Sequence, residues 1–163
     1  QSLVDPDNRQ PVDFVARRKM LEALRQRAEL DLPALASALL ENWTDGAIKM
    51  HVLTTALQAR LASPALFLRG DYDAIAGHDH VVAFTRVHHS ERMIVAVPRL
   101  SYRLTRGRAA WPLGDVWGAS LLPLPAGSYE NVLNGQGLKS DGHVRLSRMF
   151  ERFPLALLLQ RRT

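Results

Sequence analysis

Cysteine is absent from the 163 residues, which excludes a disulfide framework, a thiolate metal site and a cysteine nucleophile. The absence suits a reducing compartment, and a cytoplasmic location is the expectation. Aromatic residues make up only 7% of the chain, too few to fill a core and also build a broad exposed stacking surface. No apolar run approaches the ~20 residues needed to cross a bilayer, so no membrane partner is expected. The first residues, Gln1-Ser2-Leu3-Val4-Asp5, hold neither the basic region nor the apolar core of a signal peptide. They hold no initiator Met either, and the expectation is a piece of a longer chain. Missing too are a glycine-rich phosphate loop, a Gly-x-Ser-x-Gly elbow and a His-Glu-x-x-His helix.

What is present is ordinary for a globular protein: 47% hydrophobic and 23% charged residues. The net charge is +5, with arginine prominent. A nucleic-acid binder would gather that charge on one face. Here Arg17, Arg18, Lys19, Arg25 and Arg27 alternate with Glu22 and Glu29, as on a solvated helix. Nucleic acid is therefore not an expected partner.

The first half reads as helical. Asp13 is a good N-cap, and from it Phe14, Leu21, Leu24 and Ala28 fall near one face. Leu30-Asp31-Leu32-Pro33 interrupts the pattern, and a second helix is expected over 33–41, because proline is tolerated in a first turn. Thr44-Asp45 then opens a third helix over 46–62. Its apolar residues, among them Ile48, Val52, Leu53, Leu57 and Leu61, are spread so widely that burial on more than one side is expected.

After Ser63-Pro64 the texture changes to short runs separated by turn residues. Strands are expected at 71–76, 80–88, 93–97, 120–124, 129–133 and 155–160. The runs "MIVAV" and "LALLL" are continuous and apolar, which suits central strands covered on both faces. Asn134-Gly135 and Asp141-Gly142 are turn dipeptides. The fold class is α+β: N-terminal helices, then an antiparallel β-sandwich-like or barrel-like C-terminal domain of six to eight strands. The division falls at 1–63 and 64–163.

Few constellations suggest chemistry. His78, His80, His88 and His89 cluster in sequence, and zinc would need a hairpin to bring His88 beside the first two. The plainer reading places them at the two ends of a hairpin strand, and no metal is assigned. His51 lies inside the third helix and reads as a packed or interface histidine. The acid pairs Glu130/Asp141 and Asp71/Asp73 sit in turn or strand-edge contexts and read as solvated surface acids, although glycosidic chemistry does use two carboxylates. No catalytic residue and no cofactor is assigned within the chain.

The stretch "LVDPDNRQPVDF" is denser in polar groups than a helix entrance needs. Asp5 and Pro6 fit a type I turn and Asp13 caps a helix, which leaves Asn8 and Arg9 without a structural task and Asp7 only partly explained. Carboxylate, amide and guanidinium are the groups that engage vicinal sugar hydroxyls two at a time.

"SLVDPDNRQPVDF" resembles the "LVDPDNRRPVDF" stretch of the maltooligosyl trehalose synthases, members of the α-amylase clan. "DGAIKMHVLTTALQARLASPALFLRGDY", "HVVAFTR", "MIVAVPRL", "WPLGDVWGASLLPLP", "ENVLNGQGL" and "FPLALL" follow in the same order, so the resemblance covers nearly the whole chain. It implies the C-terminal portion of a much larger enzyme, starting just after the eighth strand of a (β/α)8 catalytic barrel that lies outside this sequence. Asp7, Asn8 and Arg9 would then border a maltooligosaccharide pocket, since loops after barrel strands line the active site. The family's nucleophile Asp, acid/base Glu and transition-state-stabilising Asp sit on earlier strands, and none has a counterpart here. Gln10 stands where a second Arg is expected. The alternative is a stand-alone carbohydrate-binding or structural β-module, whose sugar platform would draw on Trp43, Trp111, Trp117, Tyr72 and Tyr129.

Overall fold

The structure, a computed structural model, describes residues 11–108 and 110–161. Its first element, α1 (Phe14–Glu41), is two helices joined at a kink where Asp31 leaves helical geometry (φ −158°, ψ 90°). Both halves are capped by the same device. The Asp13 carboxylate accepts from the Ala16 N–H at 2.9 Å, and the Asp31 carboxylate accepts from the Ala34 N–H at 2.9 Å. Pro33 falls within the first turn after that second cap, where its missing N–H costs nothing. Leu24, from one half, and Leu35 and Leu39, from the other, share one buried cluster with Ala47. Phe14 departs from the expected face: it is largely exposed and lies ahead of Met20, where the packing of α1 begins.

A 3-10 turn, Trp43–Asp45, and Gly46 in the left-handed region (φ 82°) lead into α2 (Ala47–Ala62). The Asp45 carboxylate accepts from the Ala47 N–H at 2.8 Å, which sets the helix start one residue after the expected position. α2 is buried on two sides, as its wide apolar spread predicts. Ala47, Ile48 and Met50 meet α1, while Ile48, Val52, Ala56 and Ala59 meet the sheet. Leu53, Leu57 and Leu61 are left facing outward. A further short helix, α3 (Pro64–Arg69), precedes the first strand in a stretch for which the sequence pattern gave no helix signal beyond Pro64. The Arg86 guanidinium donates to the Leu66 carbonyl at 3.3 Å and the Gly70 carbonyl at 3.0 Å, tying the end of α3 to the sheet. Gly70 is required there, since a Cβ would lie 2.3 Å from the Leu66 carbonyl oxygen.

Six strands follow: β1 (Asp71–Ile75), β2 (Val81–His88), β3 (Glu91–Pro98), β4 (Leu121–Asn131), β5 (Gln136–Arg145) and β6 (Ala156–Gln160). They form one antiparallel sheet in the order β1-β2-β3-β6-β4-β5. The expected sandwich is thus a single sheet, bent so that one face closes around one core. Val81, Ala83, Ile94 and Ala96 from β2 and β3 join Leu122, Leu124, Leu138 and Val144 from the far end in one cluster. Trp117 and the short helix α5 (Leu146–Met149) with Phe150 cover that face. On the opposite face Met93, Val95, Leu157 and Leu159 pack under α2 and α3. β3 and β6 are therefore central strands covered on both sides, as their continuous apolar runs predict.

Two strand expectations need correction. The runs at 120–124 and 129–133 belong to the single strand β4, irregular between Leu124 and Gly127. Pro123 and Pro125 are tolerated because β6 pairs with β4 only at Tyr129–Asn131. Asn134-Gly135 does turn the chain, with Gly135 at φ 72°. Asp141-Gly142 does not; it lies inside β5, where Gly142 (φ 125°) pairs with Leu124 at the edge of the irregularity. A glycine that looked like a turn marker accommodates a bulge instead. Another four-residue helix, α4 (Ser101–Leu104), follows β3.

Candidate functional site

The sugar-facing residues named from the sequence, Asp7, Asn8 and Arg9, lie outside the described residues, as does Gln10. The described chain enters at Pro11, two residues before the Asp13 cap.

The histidines separate. His78 and His80 both precede β2, with ring centroids 5.8 Å apart, and His88 and His89 lie at its far end, 4.2 Å apart. Eight residues of extended chain put these pairs roughly 25 Å apart. β3 runs back along β2 with Glu91 opposite His88, so the hairpin carries His88 away from His78. Among the described residues no group of three metal-ligating side chains forms.

His78 does meet a hydroxyl: its Nε2 lies 3.1 Å from Ser120 Oγ. The His80 backbone N–H donates to His78 Nδ1 at 3.1 Å, so the proton of the neutral ring sits on Nε2 and is donated to the serine. A serine nucleophile needs the reverse polarity, with the ring nitrogen accepting. The pair pins the loop before β2 to the start of β4 and activates nothing.

The acid pairs behave as surface groups. Glu130 is paired with Arg161 at 3.0 Å, Asp141 is exposed on the edge strand β5, and Asp71 and Asp73 are exposed on the edge strand β1. His51 is packed, as its place in α2 suggests. Its Nε2 donates to the Leu133 carbonyl at 2.8 Å and its ring stands edge-on to Phe153. Burial pushes its pKa below the usual histidine value, against a smaller raising effect from the bond to Leu133.

The five aromatics considered for a sugar platform divide. Trp117 and Tyr129 are core residues, their polar atoms committed to the Pro112 and Pro125 carbonyls at 2.8 Å each. Tyr72 lies on β1 against Phe84. Trp43 and Trp111, 68 positions apart in sequence, meet at the surface beside Tyr102. Tyr102 went unrecognised because α4 is too short to leave a periodic signal.

No protein-family model matches the chain. Among curated proteins, those of two strains of Mycobacterium tuberculosis match 98% of the chain at 35% identity. Both carry the name maltooligosyl trehalose synthase as a provisional assignment. The chain is a relative of the maltooligosyl trehalose synthases. It spans 17% of the length of those curated relatives. A solved structure of a single-substitution mutant of the synthase from Arthrobacter ramosus superposes on 99% of the chain, with a TM-score of 0.68 and 28% identity. The chain covers 18% of that synthase. A second maltooligosyl trehalose synthase structure, 24% identical with a TM-score of 0.60, shares the fold. The helices and six-stranded antiparallel sheet described above are thus shared with the C-terminal part of these synthases.

Proposed function

We propose that this chain is the C-terminal part of a bacterial, cytoplasmic maltooligosyl trehalose synthase, an enzyme that isomerises the reducing-end α-1,4 linkage of a maltooligosaccharide to α,α-1,1. The observation that carries the reading is 35% identity sustained over almost the entire chain, joined to a shared fold. In the proposed division, residues 1–63 hold the loop and helices that end the catalytic barrel, and 64–163 form the β-domain. The outward row Leu53, Leu57 and Leu61 supports it. These residues recur every fourth position on α2, and each is more than half exposed. Such a row is what a barrel-facing helix would present with its neighbour missing.

In the proposed reaction a carboxylate of the missing barrel attacks the anomeric carbon while a protonated carboxyl releases the reducing-end glucose. That glucose stays bound and turns, and its anomeric hydroxyl attacks the glycosyl-enzyme carbon, gives its proton to the acid/base carboxylate and displaces the nucleophile carboxylate. The pocket must hold the cleaved sugar and exclude water, or hydrolysis competes. Arg9, with Asn8 and Asp7, anchors a sugar in this scheme. A guanidinium holds two hydroxyls in a fixed plane, whereas the Gln10 amide supplies no charge.

The test is conversion of maltopentaose to its trehalose-terminated isomer. The full-length natural protein is expected to carry it out and the 163-residue chain to be inactive, since a barrel alone needs roughly 250 residues. Arg9→Ala in the full-length protein should lower kcat/KM at least about tenfold, with Arg9→Lys failing to restore it. A full-length protein that leaves maltooligosaccharides unchanged, or an isolated chain that turns them over, overturns the proposal.

A further inference from the structure

Three aromatic rings that the core does not use converge where the helices meet the sheet domain. Trp43 comes from the 3-10 turn between α1 and α2, Tyr102 from α4, and Trp111 from the segment that follows. They are 42%, 76% and 36% exposed. Trp43 and Trp111 meet edge to face, with centroids 6.1 Å apart and planes at 85°. With Ser101, Thr105 and Arg108 these rings line a depression of about 510 Å³, within the 300–1,000 Å³ typical of small-ligand sites.

We propose that this depression binds an α-1,4-linked glucan chain, through residues that the Asp7–Arg9 motif does not include. The chemistry is that of a sugar ring. A pyranose has an apolar face of C–H groups that packs on an indole or phenol plane, and a rim of hydroxyls that needs polar partners. Here the planes are Trp43, Trp111 and Tyr102, and the polar rim is Ser101 and Arg108, with Thr105 buried beneath them. Two indoles at right angles suit a chain that turns between successive sugars, as α-1,4 glucan does. The flat ribbon of a β-1,4 glucan would call for coplanar rings. The choice of glucan among sugars rests on the proposed function; the sugar site itself rests on this geometry.

The site is also held in place before any ligand arrives. Trp111 Nε1 donates to the Leu40 carbonyl at 3.2 Å, fixing the indole to the end of α1. The loop behind Tyr102 is closed by Gly107 N–H to Tyr102 carbonyl at 2.8 Å and Thr105 Oγ1 to Arg108 carbonyl at 2.8 Å. Gly107 adopts φ 77°, and a side chain there would press against the Tyr102 ring. An indole fixed as Trp111 is loses little freedom on binding.

The experiment titrates the 163-residue chain with maltoheptaose and, separately, cellohexaose, following tryptophan fluorescence. Saturable binding of maltoheptaose is expected, at least about tenfold tighter than cellohexaose. Tyr102→Ala and Trp43→Ala should each weaken it about tenfold or more; neither removes the Trp111–Leu40 bond, and circular dichroism verifies that each variant is folded. Absence of saturable binding, binding unchanged in both variants, or equal preference for cellohexaose overturns the proposal. Absent binding alongside a full-length protein that isomerises maltopentaose sinks this site and leaves the synthase reading standing. Glucan binding that both variants lose, alongside an inactive full-length protein, does the reverse.

Discussion

Replacing His51 separates two effects that its ring combines. The side chain is almost fully buried between α2 and the turn after β4, and its Nε2–H donates to the Leu133 carbonyl at 2.8 Å. Leu133 is itself buried, so His51→Ala leaves that carbonyl without a partner and opens a cavity against Phe153. An orphaned buried acceptor costs about 1–3 kcal/mol, and the lost packing adds about 1 kcal/mol or more. A total of about 2–4 kcal/mol lowers the Tm of a domain this size by roughly 5–15 °C. His51→Gln keeps an N–H donor at a similar reach and should recover most of the loss.

The pH dependence has a defined sign. Burial holds the folded pKa of His51 below its ordinary value of 6.5. As pH falls below about 6.5, the unfolded chain takes up a proton that the folded chain refuses, so stability declines until the depressed folded value is passed. His51→Gln should flatten that part of the curve, because glutamine does not titrate. Urea unfolding of the three proteins at intervals from pH 7.5 to about pH 5 measures both effects. A His51→Ala protein as stable as the parent, or a parent and His51→Gln variant with parallel pH curves, would refute the reasoning.

Asn131 is fully buried and makes three bonds: its amide donates to the Leu155 carbonyl at 3.0 Å, and its carbonyl accepts from the Leu133 and Leu157 N–H groups at 3.2 Å. Asn131→Asp keeps the two accepted bonds but turns an oxygen on the Leu155 carbonyl; a loss of about 2–4 kcal/mol at neutral pH, smaller in acid, is expected in chemical denaturation. The row Leu53, Leu57 and Leu61 should make the isolated chain self-associate, and replacing all three by lysine should yield a monomer in sedimentation with stability changed by less than about 1 kcal/mol. An equally monomeric parent would count against the row as an uncovered face.

The mistaken expectations share one origin. Asp141-Gly142 carries the same local signature as Asn134-Gly135, yet only the latter turns the chain. A glycine's tolerance of positive φ serves a bulge as well as a turn, and the partner strand selects between them. The two runs read as separate strands at 120–124 and 129–133 are continuous because β5 pairs with both sides of the irregular Pro125-Ala126 step. The histidines are no such mistake: the plainer reading placed them at the two ends of a hairpin strand, and the extended β2 keeps them there.

By itself the sequence determined, to within a residue, where the two long helices begin and where the first one breaks, because an N-cap carboxylate or a proline acts within a few residues of its own position. It also determined the central strands, whose unbroken apolar runs have no face for water, and the kinship with the synthases, which is a property of residue order. The tertiary structure decided which surfaces those elements leave open. Trp117 and Trp111 are only six positions apart, and no local rule distinguishes them. One is enclosed by α5 and the bent sheet, and the other is pinned to the distant Leu40 carbonyl at the surface. Exposure depends on what packs from afar, and local chemistry does not carry that information.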